Sequence, residues 1–110
     1  MTMQFPAGKY WIGDPCYVMG AEGFSWTHGT FLGDGVYTDN RGRDYLVDSG
    51  CLGIFPASAI SEDDSEGGNF VTQRKPFTPT YKDGKFTFGT VSIETDVYDF
   101  SEQETSNGKN

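Results

Sequence analysis

Apolar and polar residues alternate along most of this chain. The clearest stretch is Phe77-Thr-Pro-Thr-Tyr81-Lys82-Asp83-Gly84-Lys85-Phe86-Thr87-Phe88, where Asp-Gly supplies the two positive-φ positions of a type I′ turn and predicts a two-residue hairpin. The register follows from that turn. Lys82 stands opposite Lys85, Tyr81 opposite Phe86 and Pro79 opposite Phe88, so Phe77, Tyr81, Phe86 and Phe88 share one side of the ribbon, which must be covered. Beyond Gly89 the apolar positions become Val91 and Ile93, odd where Phe86 and Phe88 are even. This change of parity predicts a bulge or bend at Gly89.

A second hairpin is predicted from Gly35-Val-Tyr-Thr38 through Asp39-Asn-Arg-Gly42 to Arg43-Asp-Tyr-Leu-Val47, with Gly42 in the left-handed position that closes the loop. Further strands are expected at Lys9–Gly13, Cys16–Met19, Thr30–Leu32, Cys51–Phe55 and Phe70–Gln73, with turns at Gly13-Asp14-Pro15 and Asp48-Ser49-Gly50. In Lys9–Ile12 the alternation puts Tyr10 and Ile12 on one face and Lys9 and Trp11 on the other, which makes Trp11 the candidate for an exposed aromatic. Pro56–Ile60 can form a single helical turn. The expectation is an all-β fold, a small antiparallel β-sandwich or partly open β-barrel of about seven to nine short strands with at most one helical turn.

The length of 110 residues fits one domain, expected over residues 1–100 with an acidic loop at 61–68 and a disordered tail at 101–110. Fifteen Gly, five Pro and only three Leu favour strands and turns over helices, and 17 aromatic residues supply core area. The net charge of −8 is unevenly distributed. Residues 1–60 carry −3, Ser61–Glu66 alone −4, Gly67–Ile93 +3 and Glu94–Asn110 −4. An acidic chain of this kind is a poor candidate for direct nucleic-acid binding through phosphate neutralisation. Imitation of DNA would need rigidly spaced carboxylates, whereas much of this charge lies in an expected loop and tail. No apolar run is long enough to span a membrane, and the N-terminal residues lack a secretory leader, so the expected setting is the cytoplasm. There Cys16 and Cys51 are expected to stay free thiols.

Three aspartates sit beside turn formers: Asp14 before Pro15, Asp34 between glycines, and Asp48 in Asp-Ser-Gly. Convergence of the three would suit a hard cation or a ribose, but Asp in such positions more commonly bonds its own backbone. Cys16, Cys51 and His28 lack the spacing of a zinc site or a nucleophilic pair, and no phosphate-loop, nucleophile-elbow or metalloprotease motif occurs. Neither a metal nor a cofactor is therefore expected, and a catalytic role is the minority reading. Aromatic residues of the first third, Trp11, Tyr17 and Tyr37 in particular, are candidate anchors for a partner.

Taken together, Tyr10-Trp-Ile-Gly-Asp-Pro-Cys-Tyr-Val18, Gly33-Asp-Gly-Val-Tyr37 and Tyr45-Leu-Val-Asp-Ser-Gly-Cys-Leu-Gly-Ile54 resemble a group of small bacteriophage and bacterial proteins of unknown function. The resemblance covers about the first half of the chain. It implies a phage or prophage setting and transfers no catalytic residue. In that setting the leading expectation is a non-enzymatic accessory protein that binds and modulates or inhibits a host protein. Trp11, Tyr17 and Tyr37 would make contacts, while Glu62, Asp63 and Asp64 would steer a basic partner. The alternative is a small-molecule or nucleotide-binding protein using Asp14, Asp34 and Asp48. A metal-dependent hydrolase and a minor virion component are more distant readings. A monomer and a homodimer paired through edge strands are both compatible with the pattern.

Overall fold

The computed structural model describes residues 4–18, 25–61 and 67–96, and these form an all-β fold of nine strands. The strands are β1 (Gly8–Gly13), β2 (Trp26–Gly29), β3 (Gly35–Thr38), β4 (Asp44–Val47), β5 (Cys51–Pro56), β6 (Asn69–Gln73), β7 (Thr80–Lys82), β8 (Lys85–Phe88) and β9 (Val91–Glu94). They make three antiparallel sheets, ordered β2-β5-β1-β6, β3-β4 and β7-β8-β9, and none closes into a barrel. The acidic run 62–66 and the tail 101–110 lie outside the described residues.

Strand β1 is the axis of the fold. Its alternation is as read from the sequence, but both of its faces are buried. Tyr10 and Ile12 enter a large core with Leu52, Ile54, Val71, Tyr37, Tyr45, Phe86, Phe88 and Ile93. Trp11 points the other way into a smaller core with Val18, Phe55 and Ile60, and it is fully buried rather than exposed. Its register partners, Phe55 on β5 and Phe70 on β6, flank it on that face. The indole needs room that only glycines leave: a Cβ on Gly13 or Gly68 would fall inside contact distance of its six-membered ring. On Gly68 that Cβ would also collide with the carbonyl oxygen of Ile12.

The smaller core explains why Cys16–Met19 does not extend as a strand. Pro15–Val18 instead forms a 3-10 turn, started by the fixed φ of Pro15 and by the Tyr17 N–H donating to Asp14 O at 3.1 Å. This turn brings Val18 down onto Trp11. A second 3-10 turn, Ala57–Ala59, falls within the segment expected to turn once and leads into Ile60. Thr30–Leu32 is likewise not a strand. Its chain is hooked to the end of β9, where Phe31 N–H donates to Thr95 Oγ1 and Leu32 N–H to Thr95 O, both at 3.1 Å. The strand of that region is β2, four residues earlier.

The β7–β8 hairpin has the expected register, with Tyr81 opposite Phe86 and Lys82 opposite Lys85, and with positive φ at both Asp83 and Gly84. At Gly89 the chain reverses instead of bending. Gly89 and Thr90 form a second two-residue turn, which makes Phe88 face Val91 and Phe86 face Ile93, so the change of parity records a strand pair.

The β3–β4 hairpin also closes as expected, with Gly42 at φ 85°. Its loop is organised by the buried carboxylate of Asp39. Oδ1 accepts the N–H groups of Arg41 and Arg43 at 2.8 and 3.0 Å, and Oδ2 accepts Arg43 Nε at 3.2 Å and the Tyr45 hydroxyl at 2.7 Å. Burial alone would raise the pKa of Asp39, but these donors and the Arg43 charge outweigh it and hold the carboxyl below the usual 3.8. Burial and the same contact push the Tyr45 phenol well above its ordinary value.

A carboxyl with a lowered folded pKa stabilises the fold above its unfolded value, and that stability is lost as pH falls through the folded pKa. Asp14 is lowered as well. The urea midpoint should therefore hold from neutral pH down to about 5 and then fall as these carboxyls protonate. Asp39→Asn should cost about 3 kcal/mol at pH 7, because Arg43 loses its buried partner, and should flatten the acid limb of the profile. Urea titrations at pH 7, 5, 4 and 3 check both.

Candidate functional site

The structure brings the three candidate aspartates to one corner of the molecule. The Asp14 carboxylate is fully buried and receives four donors. Oδ1 accepts Cys16 N–H at 2.7 Å and Ser49 Oγ at 2.5 Å, while Oδ2 accepts the N–H groups of Asp48 and Ser49, each at 2.6 Å. Four donors fill the acceptor capacity of a carboxylate. Burial works to raise the Asp14 pKa, and the bonds from Ser49 and Cys16 more than reverse it. Asp48 is exposed and accepts the Tyr17 hydroxyl, while Asp34 lies beside Gly50.

This corner is a clasp between two turns. Asp14 ties the turn after β1 to Asp48-Ser49-Gly50 between β4 and β5, and Tyr17 bonds to Asp48 over the same junction. No group of three or more His, Cys, Asp or Glu side chains among the described residues is arranged to hold a metal ion. The geometry is the backbone-holding role that Asp beside Pro and Gly usually plays.

Nor is the corner nucleophilic. Cys16 is half-buried, and its thiol is pushed up to about 11 by burial, by its contact with Asp14, and by the negative charges of Asp14, Asp48 and Asp34. The Tyr17 phenol is pushed up to about 12, first by donating to Asp48 and then by burial. His28 has its ring stacked on Tyr81 at 3.9 Å, and its Nδ1 lies 2.8 Å from Gly29 O.

Of the aromatic anchors expected from sequence, Trp11 and Tyr37 are buried without residue, and Tyr17 is half-buried in the clasp. Trp11 is committed to the smaller core and Tyr37 to the larger, with its hydroxyl donating to Gly33 O at 2.8 Å. Neither can serve as a surface anchor. Glu62, Asp63 and Asp64 fall outside the described residues.

The surface aromatics lie elsewhere. Strand β2 is an outer strand of the four-stranded sheet, and its Trp26 and His28 point together onto the β7–β8 hairpin. Trp26 meets Phe86 and Phe88 edge-on at 6.0 and 5.7 Å, while Tyr81 continues the stack beyond His28. These rings are the cover that the hairpin's apolar side required. Trp26 and Tyr81 stay half-buried and His28 exposed. Beside them, the Phe31 Cβ stands against Gly84 at the hairpin tip, and its side chain is 62% exposed, the largest value among the described large hydrophobic residues; Leu32 is exposed too. Sequence pattern did not single out Phe31 or Leu32 because Thr30–Leu32 reads as a strand. The signal was present in Phe-Leu followed by Gly-Asp-Gly, two apolar residues entering a turn.

These features define an all-β fold with an acidic clasp at one corner and an aromatic edge along β2. No protein-family model matches the chain, and no curated protein or solved structure is significantly similar to it.

The elevated Cys16 pKa gives a direct check on its chemistry. In Cys51→Ser protein at pH 8, the remaining thiol should react with a disulfide reagent at least about tenfold more slowly than free cysteine, since far less of it is thiolate. Asp14→Asn should speed the reaction in protein that is still folded.

Proposed function

We propose that this is a non-enzymatic binding protein that acts by docking onto another protein, as expected for a phage-type accessory factor that modulates or inhibits a host protein. The observation that carries the reading is the aromatic edge, where Phe31 and Leu32 stand exposed beside the Trp26–His28–Tyr81 stack. Large apolar groups on a rigid rim are what an interface uses as anchors. They lose little conformational freedom on binding, because the stack already fixes His28 and Tyr81 and the Thr95 bonds fix the backbone at Phe31.

The remaining chemistry supports this reading. Asp14 is engaged in holding two turns together and Asp48 in a bond with Tyr17, the Cys16 thiol is held protonated, and His28 is held in a ring stack. No helix among the described residues is long and apolar enough to cross a membrane. In this reading the acidic run that includes Glu62, Asp63 and Asp64 raises the rate of encounter with a basic partner surface.

The test is capture from host-cell lysate by wild-type protein and by Phe31→Ser. Phe31 is mostly exposed, so Phe31→Ser should shift stability by no more than about 0.5 kcal/mol. A host protein retained by the wild type should be lost from the variant and retained by Leu46→Ser, an exposed substitution on β4. Equal capture by all three proteins would contradict the assignment of the aromatic edge.

A further inference from the structure

A third feature belongs neither to the clasp nor to the aromatic edge. Although the protein carries 16 acids against eight Lys and Arg, four of those eight, Arg41, Arg43, Arg74 and Lys75, line one cavity. It lies between the outer edge of β6, the β3–β4 loop and the β8–β9 turn, and has a volume of about 920 Å³. Hydrogen bonds ring it. Arg43 Nη1 donates to Phe70 O at 3.3 Å, the Asn40 N–H donates to Ser92 O at 2.9 Å, and Gln73 Nε2 donates to Phe88 O at 2.7 Å. These bonds tie the two turns to β6 and to each other, so the cavity is framed before any ligand arrives.

Arg43 is the fixed member of the cationic set. Asp39 holds its Nε and the Phe70 carbonyl holds Nη1, yet Nη2 is buried with no hydrogen-bond partner among the described residues. That atom has no accessible surface and is closed to the cavity, so Arg43 faces the cavity with the remainder of a side chain that is one-third exposed. Asp39 offsets part of the Arg43 charge, which still leaves four cations against one carboxylate at this site. Arg74 and Lys75 are exposed where the chain leaves β6, and Phe70 and Phe77, packed mainly into the smaller and the larger core, contribute the apolar part of the lining. A volume near the upper end of the small-molecule range, an apolar wall and converging charges of one sign are the attributes of a ligand site.

We propose that this cavity binds a phosphorylated small molecule carrying at least two negative charges, with its phosphate oxygens on Arg43, Arg74, Lys75 and Arg41 and its remaining body against Phe70 and Phe77. Guanidinium forks match phosphate geometry and Arg43 is already oriented, so recognition loses little entropy at that residue. The site is independent of the aromatic edge, and the protein could hold its partner and this ligand at once.

Isothermal titration of the full chain with inorganic pyrophosphate, with ADP and with a 12-residue single-stranded oligonucleotide tests the proposal. Pyrophosphate and ADP should both bind, ADP more tightly because it adds contact with the apolar wall. Arg74→Gln/Lys75→Gln, at exposed positions, should weaken both by about tenfold or more with an unchanged urea midpoint. Arg43→Lys, which keeps the charge but removes the fork, should weaken both as well. Absence of binding by both small molecules at millimolar concentration would overturn the proposal, as would affinities unchanged in Arg74→Gln/Lys75→Gln. Binding of the oligonucleotide alone would overturn it in favour of a nucleic-acid surface.

Discussion

The fold depends on burying both faces of one strand. A strand in an antiparallel sheet usually has one wet face, but β1 carries Tyr10 and Ile12 into one core and Trp11 into another. Every other layer takes its place from this. The larger core needs the β3–β4 and β7–β8–β9 sheets as its lid, and the smaller one needs the two 3-10 turns and the Phe55–Phe70 flanks. The seat for Trp11 exists only because Gly13 and Gly68 carry no side chain. Fully burying an aromatic of this size is worth about 2–3 kcal/mol in transfer alone, a large share of the stability of a domain this small.

The second core also sets where chemistry can and cannot occur. Packing Val18 over Trp11 bends Pro15–Val18 into a 3-10 turn, and that turn presents the Cys16 N–H to Asp14 and the Tyr17 hydroxyl to Asp48. The acidic corner is thus a product of packing, with the Asp14 oxygens turned inward to backbone N–H groups and the Ser49 hydroxyl. Surface that remains for recognition lies along β2, where rings from two sheets stack in the open, and along the outer edge of β6, where cations gather around a framed cavity.

Much of the architecture was legible in the sequence wherever a local rule decided it. Asp83-Gly84 dictates its turn and with it the Tyr81–Phe86 pairing, and Gly42 dictates the closure of the β3–β4 loop. The readings that changed were those that depend on what lies across the fold. The alternation around Trp11 is correct, but whether its face is wet depends on Val18 and Ile60, which reach it through turns that local pattern does not reveal. The shift of parity at Gly89 suits a bend and a hairpin equally well until a partner strand is present. Whether Asp14, Asp34 and Asp48 converge was open in the sequence, as was the engagement of the Asp14 oxygens by donors from Cys16, Asp48 and Ser49, because both depend on which turns meet across the fold. The basic cavity was hidden for the same reason, because Arg41 and Arg43 are some thirty residues from Arg74 and Lys75 and meet only when β6 lies beside the β3–β4 loop.

The claim on which the account stands is that Trp11 is enclosed on the second face of β1. It is tested by acrylamide quenching of tryptophan fluorescence in Trp26→Phe protein, where Trp11 is the sole emitter. Blue-shifted emission and quenching far below that of free tryptophan are expected, rising to the free value only on unfolding in urea. Red-shifted emission with quenching close to that of free tryptophan in the folded protein would contradict it.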